Sequence, residues 1–131
     1  MPTVSQKLGV LMSLVLIDWQ ALQELIDALG MPVPQAAESI YVLFCEEVGN
    51  QIVELESAMA DADRVRLAKM AHRLRGGLSQ LGACGIADMG AQIEQAAPTA
   101  NLGALEAHVI NLRARYDETI EQVRDRYRLF L

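Results

Sequence analysis

Cysteine is scarce in this 131-residue chain. Cys45 and Cys84 stand far apart and outside any metal-ligand spacing. A disulfide framework and a zinc site are therefore poor readings, and two reduced, buried thiols in a cytoplasmic protein are expected. Long apolar runs are also missing. The stretch from Leu8 to Ile17 is interrupted only by Gly9 and Ser13, but ten residues do not span a bilayer. With no basic region before it and no cleavage site after it, it does not read as a secretion signal. It reads as a packed N-terminal arm or a linker stub over residues 1–17, and no membrane insertion is expected. Strand signals are nearly absent, because no β-branched run alternates with period two and no Asn-Gly or Asp-Gly turn occurs. No internal repeat is visible. No glycine loop for nucleotide phosphates is present, nor paired acids with a lysine in a βα pattern. These absences argue against a kinase and against a receiver domain.

What is present is helical periodicity and a core-forming composition, with 52% hydrophobic residues. Asp18 caps a first predicted helix to about Leu29, with Leu22, Leu25, Ile26 and Leu29 as its apolar stripe and Gly30 and Pro32 as its stop. A second starts near Pro34 and runs to about Met59, its stripe being Ala37, Tyr41, Phe44, Val48, Ile52, Leu55 and Met59. The segment Asp61-Ala62-Asp63 breaks it and caps a third, which ends at Leu81-Gly82. The fourth covers about Cys84 to Ala97, with Ile86, Met89, Ile93 and Ala97 inward, and stops at Pro98. Asn101 caps the fifth, whose stripe is Leu105, Val109, Leu112, Tyr116, Ile120, Val123, Tyr127 and Phe130. Short connections make neighbours antiparallel. The expected fold is all-α: an up-and-down antiparallel four-helix bundle over residues 18–131, with an additional short N-terminal helix or arm.

The net charge of −6 argues against nucleic acid as a partner. Its distribution is uneven. Of eleven basic residues, five (Arg64, Arg66, Lys69, Arg73 and Arg75) lie within twelve positions free of acid, and His72 lies among them. On a helical wheel Leu67, Met70, Ala71, Leu74, Leu78 and Leu81 form the core side of the third helix. His72 points the other way, with Lys69, Gly76 and Ser79, and Arg75 nearby. A solvated imidazole, with a reference pKa of about 6.5, is mostly neutral at pH 7, and its free lone pair can attack phosphorus. The neighbouring cations favour that form and would attract a bound phosphoryl group. Gly76, one turn from His72, costs the helix about 1 kcal/mol relative to alanine; clearance for a docking protein explains it, whereas packing explains Gly77. A metal site built on His72, His108, Cys45 and Cys84 is disfavoured, because no two share a helix at i, i+4. His108 reads as a surface or boundary residue of the fifth helix, and Trp19 as packing against the bundle end.

The stretch Ala71-His72-Arg73-Leu74-Arg75-Gly76-Gly77-Leu78-Ser79-Gln80-Leu81-Gly82-Ala83 resembles the signature of histidine-containing phosphotransfer (HPt) domains: Ala-His, any residue, Leu, a basic residue, Gly, and then Leu-Gly-Ala. Ile86, Met89, Ile93 and Glu94 fall where that family has its fourth-helix apolar residues and a Glu or Gln. Phe44 and the segment from Leu55 to Asp63 resemble its second helix and acidic turn. The resemblance covers about residues 18–97. It implies a phosphorelay intermediate of two-component signalling. His72 would be the phosphorylated nucleophile; Arg75, Lys69, Gly76 and Glu94 would support the phosphoryl group; Arg73, Ser79 and Arg66 would lie on the docking face. Arg75 replaces the commoner lysine and Gly77 the usual Ser or Ala, and Glu94, if ionised, fits the other imidazole nitrogen or solvent better than the phosphoryl group. Implied partners are response regulator receiver domains and a hybrid sensor histidine kinase, of which this chain resembles a C-terminal module. No cofactor is implied here, Mg²⁺ being held by the receiver, and no kinase activity of its own. The alternative is a non-catalytic interaction module that docks receivers without phosphotransfer.

Overall fold

The computed structural model describes Thr3 and residues 16–129. Those residues form five helices and no strand. Helix α1 is Trp19–Ala28. Helix α2 covers residues 33–60 as three continuous stretches: Val33–Leu43, a π-helical turn at Phe44–Val48, and Gly49–Ala60. Helices α3, α4 and α5 are Arg64–Gln80, Cys84–Ala96 and Leu102–Tyr127. The last four make the antiparallel bundle, and α1 is the additional N-terminal helix.

Local chemistry sets the helix ends. The side chains of Asp18, Asp63 and Asn101 accept from the N–H groups of Ala21, Arg66 and Ala104 at 3.1, 3.1 and 2.7 Å. Each removes one of the unpaired donors of a first turn. At the end of α3, Gly82 adopts φ +77°. Its N–H donates to Ser79 O at 3.2 Å and that of Ala83 to Leu78 O at 2.9 Å, the paired closure of a left-handed helix stop. Ala62 makes the same closure after α2 at φ +51°, without glycine's freedom.

The stripes converge on one core in which Leu22, Phe44, Ile52, Leu74, Ile86 and Leu112 are all fully buried. Each such side chain contributes roughly 1.5–3 kcal/mol relative to exposure. The chain enters this core two residues before the expected end of the arm, since Leu16 and Ile17 are buried. Leu16 O accepts from Gly85 N–H at 3.2 Å, and Asp18 N–H donates to Gly82 O at 2.7 Å. The start of α1 is thus seated on the turn between α3 and α4. Trp19 packs edge-on to Tyr127, ring centroids 6.4 Å apart, with the Arg126 guanidinium 5.4 Å from its ring. The rest of the predicted arm and Phe130 lie outside the described residues.

Three expectations are corrected. Leu29, predicted on the inward stripe of α1, is 45% exposed, because α1 ends at Ala28 and Leu29 is its C-cap. The predicted second helix is interrupted by the π turn, where Tyr116 Oη donates to Phe44 O at 2.7 Å. A Cβ on Gly49 would lie 3.0 Å from that hydroxyl, so the glycine leaves it room. The thiols are not both buried: Cys45 is exposed on the π turn and Cys84, in the first turn of α4, is half-buried.

Candidate functional site

Leu67, Ala71, Leu74 and Leu78 recur at intervals of four, three and four along α3 and are buried. That register turns His72 outward, its side chain 65% exposed. Helix α4 packs closely along α3, and Gly90 marks the contact: a Cβ there would lie 3.4 Å from Ala71 O and 3.6 Å from Arg75 Cβ. One turn further on, α4 presents Glu94. Its Oε1 is 2.9 Å from His72 Nδ1. Arg75 closes the group, with Nη2 3.2 Å from the same Nδ1 and 3.7 Å from Glu94 Oε2. Glu94 is 29% exposed, and its Oε2 is shielded and accepts no hydrogen bond.

This geometry assigns the ring proton. A carboxylate only accepts, and one imidazole nitrogen cannot donate to Glu94 while accepting from Arg75. A short contact between a ring lone pair and a carboxylate is repulsive, so the proton sits on Nδ1 and is donated to Oε1. Arg75 then acts as a neighbouring charge that offsets the carboxylate. Nε2 is left with the lone pair. Glu94 therefore meets the imidazole at the nitrogen opposite the one that keeps the lone pair.

The remaining predicted residues divide. Lys69 and Arg73 are exposed and, with Ala68, His72 and Glu94, line a shallow, open depression. Gly76 is exposed, and a Cβ there would meet nothing within 4 Å. Ser79 is exposed on the same helix. Arg66 is half-exposed and turned back to its own chain, bonding Asp61 Oδ2 at 3.2 Å and Ser57 Oγ at 3.3 Å. Arg64 donates from Nη1 to Ala97 O at 2.9 Å and Ala100 O at 2.6 Å, capping the end of α4 with a favourable charge. The basic island is thus not one surface: two of its five charges hold helix ends together, and Lys69, Arg73 and Arg75 stay beside His72. Gly77 is a correction. A Cβ there would meet nothing within 4 Å, and the residue borders an apolar groove that includes Leu25, Leu29, Leu43 and Leu81.

Gly90 and this groove escaped sequence reading. A glycine at an inward position of α4 was the available signal for the first. For the second, exposed leucines look like core leucines until the helices are placed. His108 is half-buried on α5. Among the described residues no three His, Cys, Asp or Glu side chains gather as a metal site, and no helix is long and apolar enough to cross a membrane.

A bundle with one outward histidine, its second ring nitrogen fixed by a carboxylate, defines a class built to present an imidazole rather than to enclose a substrate. Comparison with protein-family models gives the particular family: residues 39–126 match the Hpt domain. The chain belongs to the Hpt domain family, whose members perform histidine phosphotransfer in two-component phosphorelays and interact with receiver domains and kinases. No curated protein and no solved structure matches it.

Proposed function

We propose that this chain carries a phosphoryl group on Nε2 of His72 between the aspartates of receiver domains. The observation that carries this reading is the 65% exposed imidazole whose Nδ1 is engaged by Glu94, which leaves Nε2 free toward solvent. In the accepting direction the Nε2 lone pair forms the N–P bond while the aspartyl O–P bond breaks. The electron pair of that bond leaves on the aspartate oxygen, and the Nδ1 proton stays in its hydrogen bond. Donation to the next receiver is the reverse. Such transfer depends on positioning and charge neutralisation. Lys69 and Arg73, which make no ion pair among the described residues, supply cations toward the phosphoryl oxygens. Arg75 offsets Glu94. The empty space above Gly76 admits the partner's aspartate, and the adjoining apolar groove offers docking area. The partner receiver supplies the Mg²⁺.

The test is incubation with a phosphorylated receiver, or with a hybrid kinase, ATP and its receiver. Acid-labile label on the wild-type chain and none on His72→Gln is expected. An unlabelled wild type, or equal labelling of His72→Gln, rejects the relay in favour of docking without transfer.

A further inference from the structure

We propose that Glu47 selects the partner, by favouring receiver domains that bring to the groove beside His72 an amphipathic helix whose apolar face is flanked by Lys or Arg. This rests on His72 being the carrier and names the surface chemistry its partner must have. The groove opens roughly 8–14 Å along α3 from His72, since Gly77 and Leu81 border it five and nine residues further on. Leu25 and Leu29 wall it from α1 and Leu43 from α2. Among the residues that line it Glu47 alone is charged, and it is exposed. Its place there follows from the π turn. Ser39, Leu43, Glu47 and Gln51 line the groove at intervals of four. In an uninterrupted α-helix such positions drift round the axis by roughly 40° a step. The wider turn at Phe44–Val48 takes up part of that drift, so Glu47 stays on the groove side.

The charge on this side of the bundle is of one sign. Residues 18–63, which hold α1 and α2, contain ten of the chain's seventeen acidic residues and none of its eleven basic ones. Glu56 and Asp61 are paired with Arg113 and Arg66 from other helices. Glu47 and the exposed Glu46 and Glu54 on the same helix make no ion pair among the described residues. On α3, by contrast, Lys69, Arg73 and Arg75 lie beside His72. Two patches of opposite sign therefore adjoin. A second copy of this chain seated on the groove by a two-fold axis would set acid against acid. An anionic lipid surface would be repelled in the same way. What fits is a receiver with acidic groups around its aspartate and cations beside an apolar helix. A receiver whose helix is acidic gains at His72 and loses at the groove, and that loss is the basis of discrimination.

The experiment measures phosphoryl transfer to the full chain as wild type, Glu47→Gln and Glu47→Lys. The donors are a phosphorylated receiver with Lys or Arg beside an exposed apolar helix face, and the same receiver with those side chains changed to Glu. Calorimetry follows binding of each pair. Modification by phosphoramidate, which needs no docking, reports that His72 and the fold are intact. The wild type is expected to accept about five- to tenfold faster from the basic receiver, with a preference that shrinks at high salt. Glu47→Gln is expected to lose about two- to threefold of that preference. Glu47→Lys is expected to abolish it, the reversed receiver gaining as the basic one loses, which lost packing at the groove cannot produce. Equal transfer from both receivers to the wild type, or a preference that Glu47→Lys leaves unchanged, overturns the selection and leaves the relay standing. No transfer from either receiver, with binding still sorted by charge through Glu47, rejects the relay and leaves the selection standing. No transfer together with unsorted binding overturns both.

Discussion

Two sets of glycines behave differently in this fold. Gly49, Gly82 and Gly90 sit where another part of the chain occupies the space a side chain would take: the Tyr116 hydroxyl at 3.0 Å, Asp18 O at 2.9 Å and Ala71 O at 3.4 Å. Gly76 and Gly77 face open space. The first set lets helices and turns approach. The second lowers the helix propensity of α3 with no contact of the chain to explain it, and the space it leaves is the space the proposed docking would use. The difference separates glycines that the packing of the bundle requires from glycines that it does not, although both are glycine inside or beside a helix.

The largest effect expected of this distinction is at Gly82. Gly82→Ala meets two penalties at once. Its φ of +77° costs an L residue roughly 1–2 kcal/mol, and its Cβ would stand 2.9 Å from a backbone oxygen that cannot move without lifting α1. A loss of about 2–4 kcal/mol in urea unfolding is expected. A midpoint within error of the wild type would remove Gly82 from the packed set.

The next effect tests Gly49 through its neighbour. Burial pushes the Tyr116 phenol up from 10.0 to about 12. The folded state therefore favours the protonated hydroxyl, which donates to Phe44 O at 2.7 Å. This contribution is fully present below pH 10 and is lost as the pH rises toward 12; its size is on the order of 2 kcal/mol. Burial raises Tyr41 and Tyr127 in the same sense. Tyr116→Phe is expected to cost about 1 kcal/mol at pH 8 and to flatten the fall in stability between pH 10 and 12. An unchanged alkaline slope would show that the π turn does not depend on this bond.

How much of this was legible in the sequence follows from the range of each interaction. The caps Asp18, Asp63 and Asn101 act within three residues, and Gly82 acts through its own backbone, so all were readable in place. The outward register of His72 needed only the spacing of Leu67, Ala71, Leu74 and Leu78. The hydroxyl that bonds the π turn belongs to Tyr116, 72 residues from Phe44, and Arg64 bonds carbonyls 33 and 36 residues away. No local pattern announces such partners. Glu94 lay between. Its place near the histidine followed from resemblance and its charge pointed to the other imidazole nitrogen or to solvent, but the choice between those two became visible only with α4 packed on α3 at Gly90.

The smallest effect on the fold is the most informative about the open set. Gly76 lies in mid-helix with no neighbour within 4 Å of an added Cβ, so the Cβ of Gly76→Gln has room on the exposed face and the substitution restores helix propensity. Stability is expected to rise by about 0.5–1 kcal/mol. The same side chain would stand one turn from His72 on the exposed face, in the space an incoming aspartate must cross. Phosphotransfer from a receiver is therefore expected to slow about tenfold, equivalent to roughly 1.4 kcal/mol of barrier, while modification of His72 by the much smaller phosphoramidate changes little. Opposite signs for stability and transfer are the outcome that an unused glycine cannot produce. If Gly76→Gln is more stable and transfers at the wild-type rate, the open space above α3 serves no partner, and the contrast between the two sets of glycines is one of packing alone.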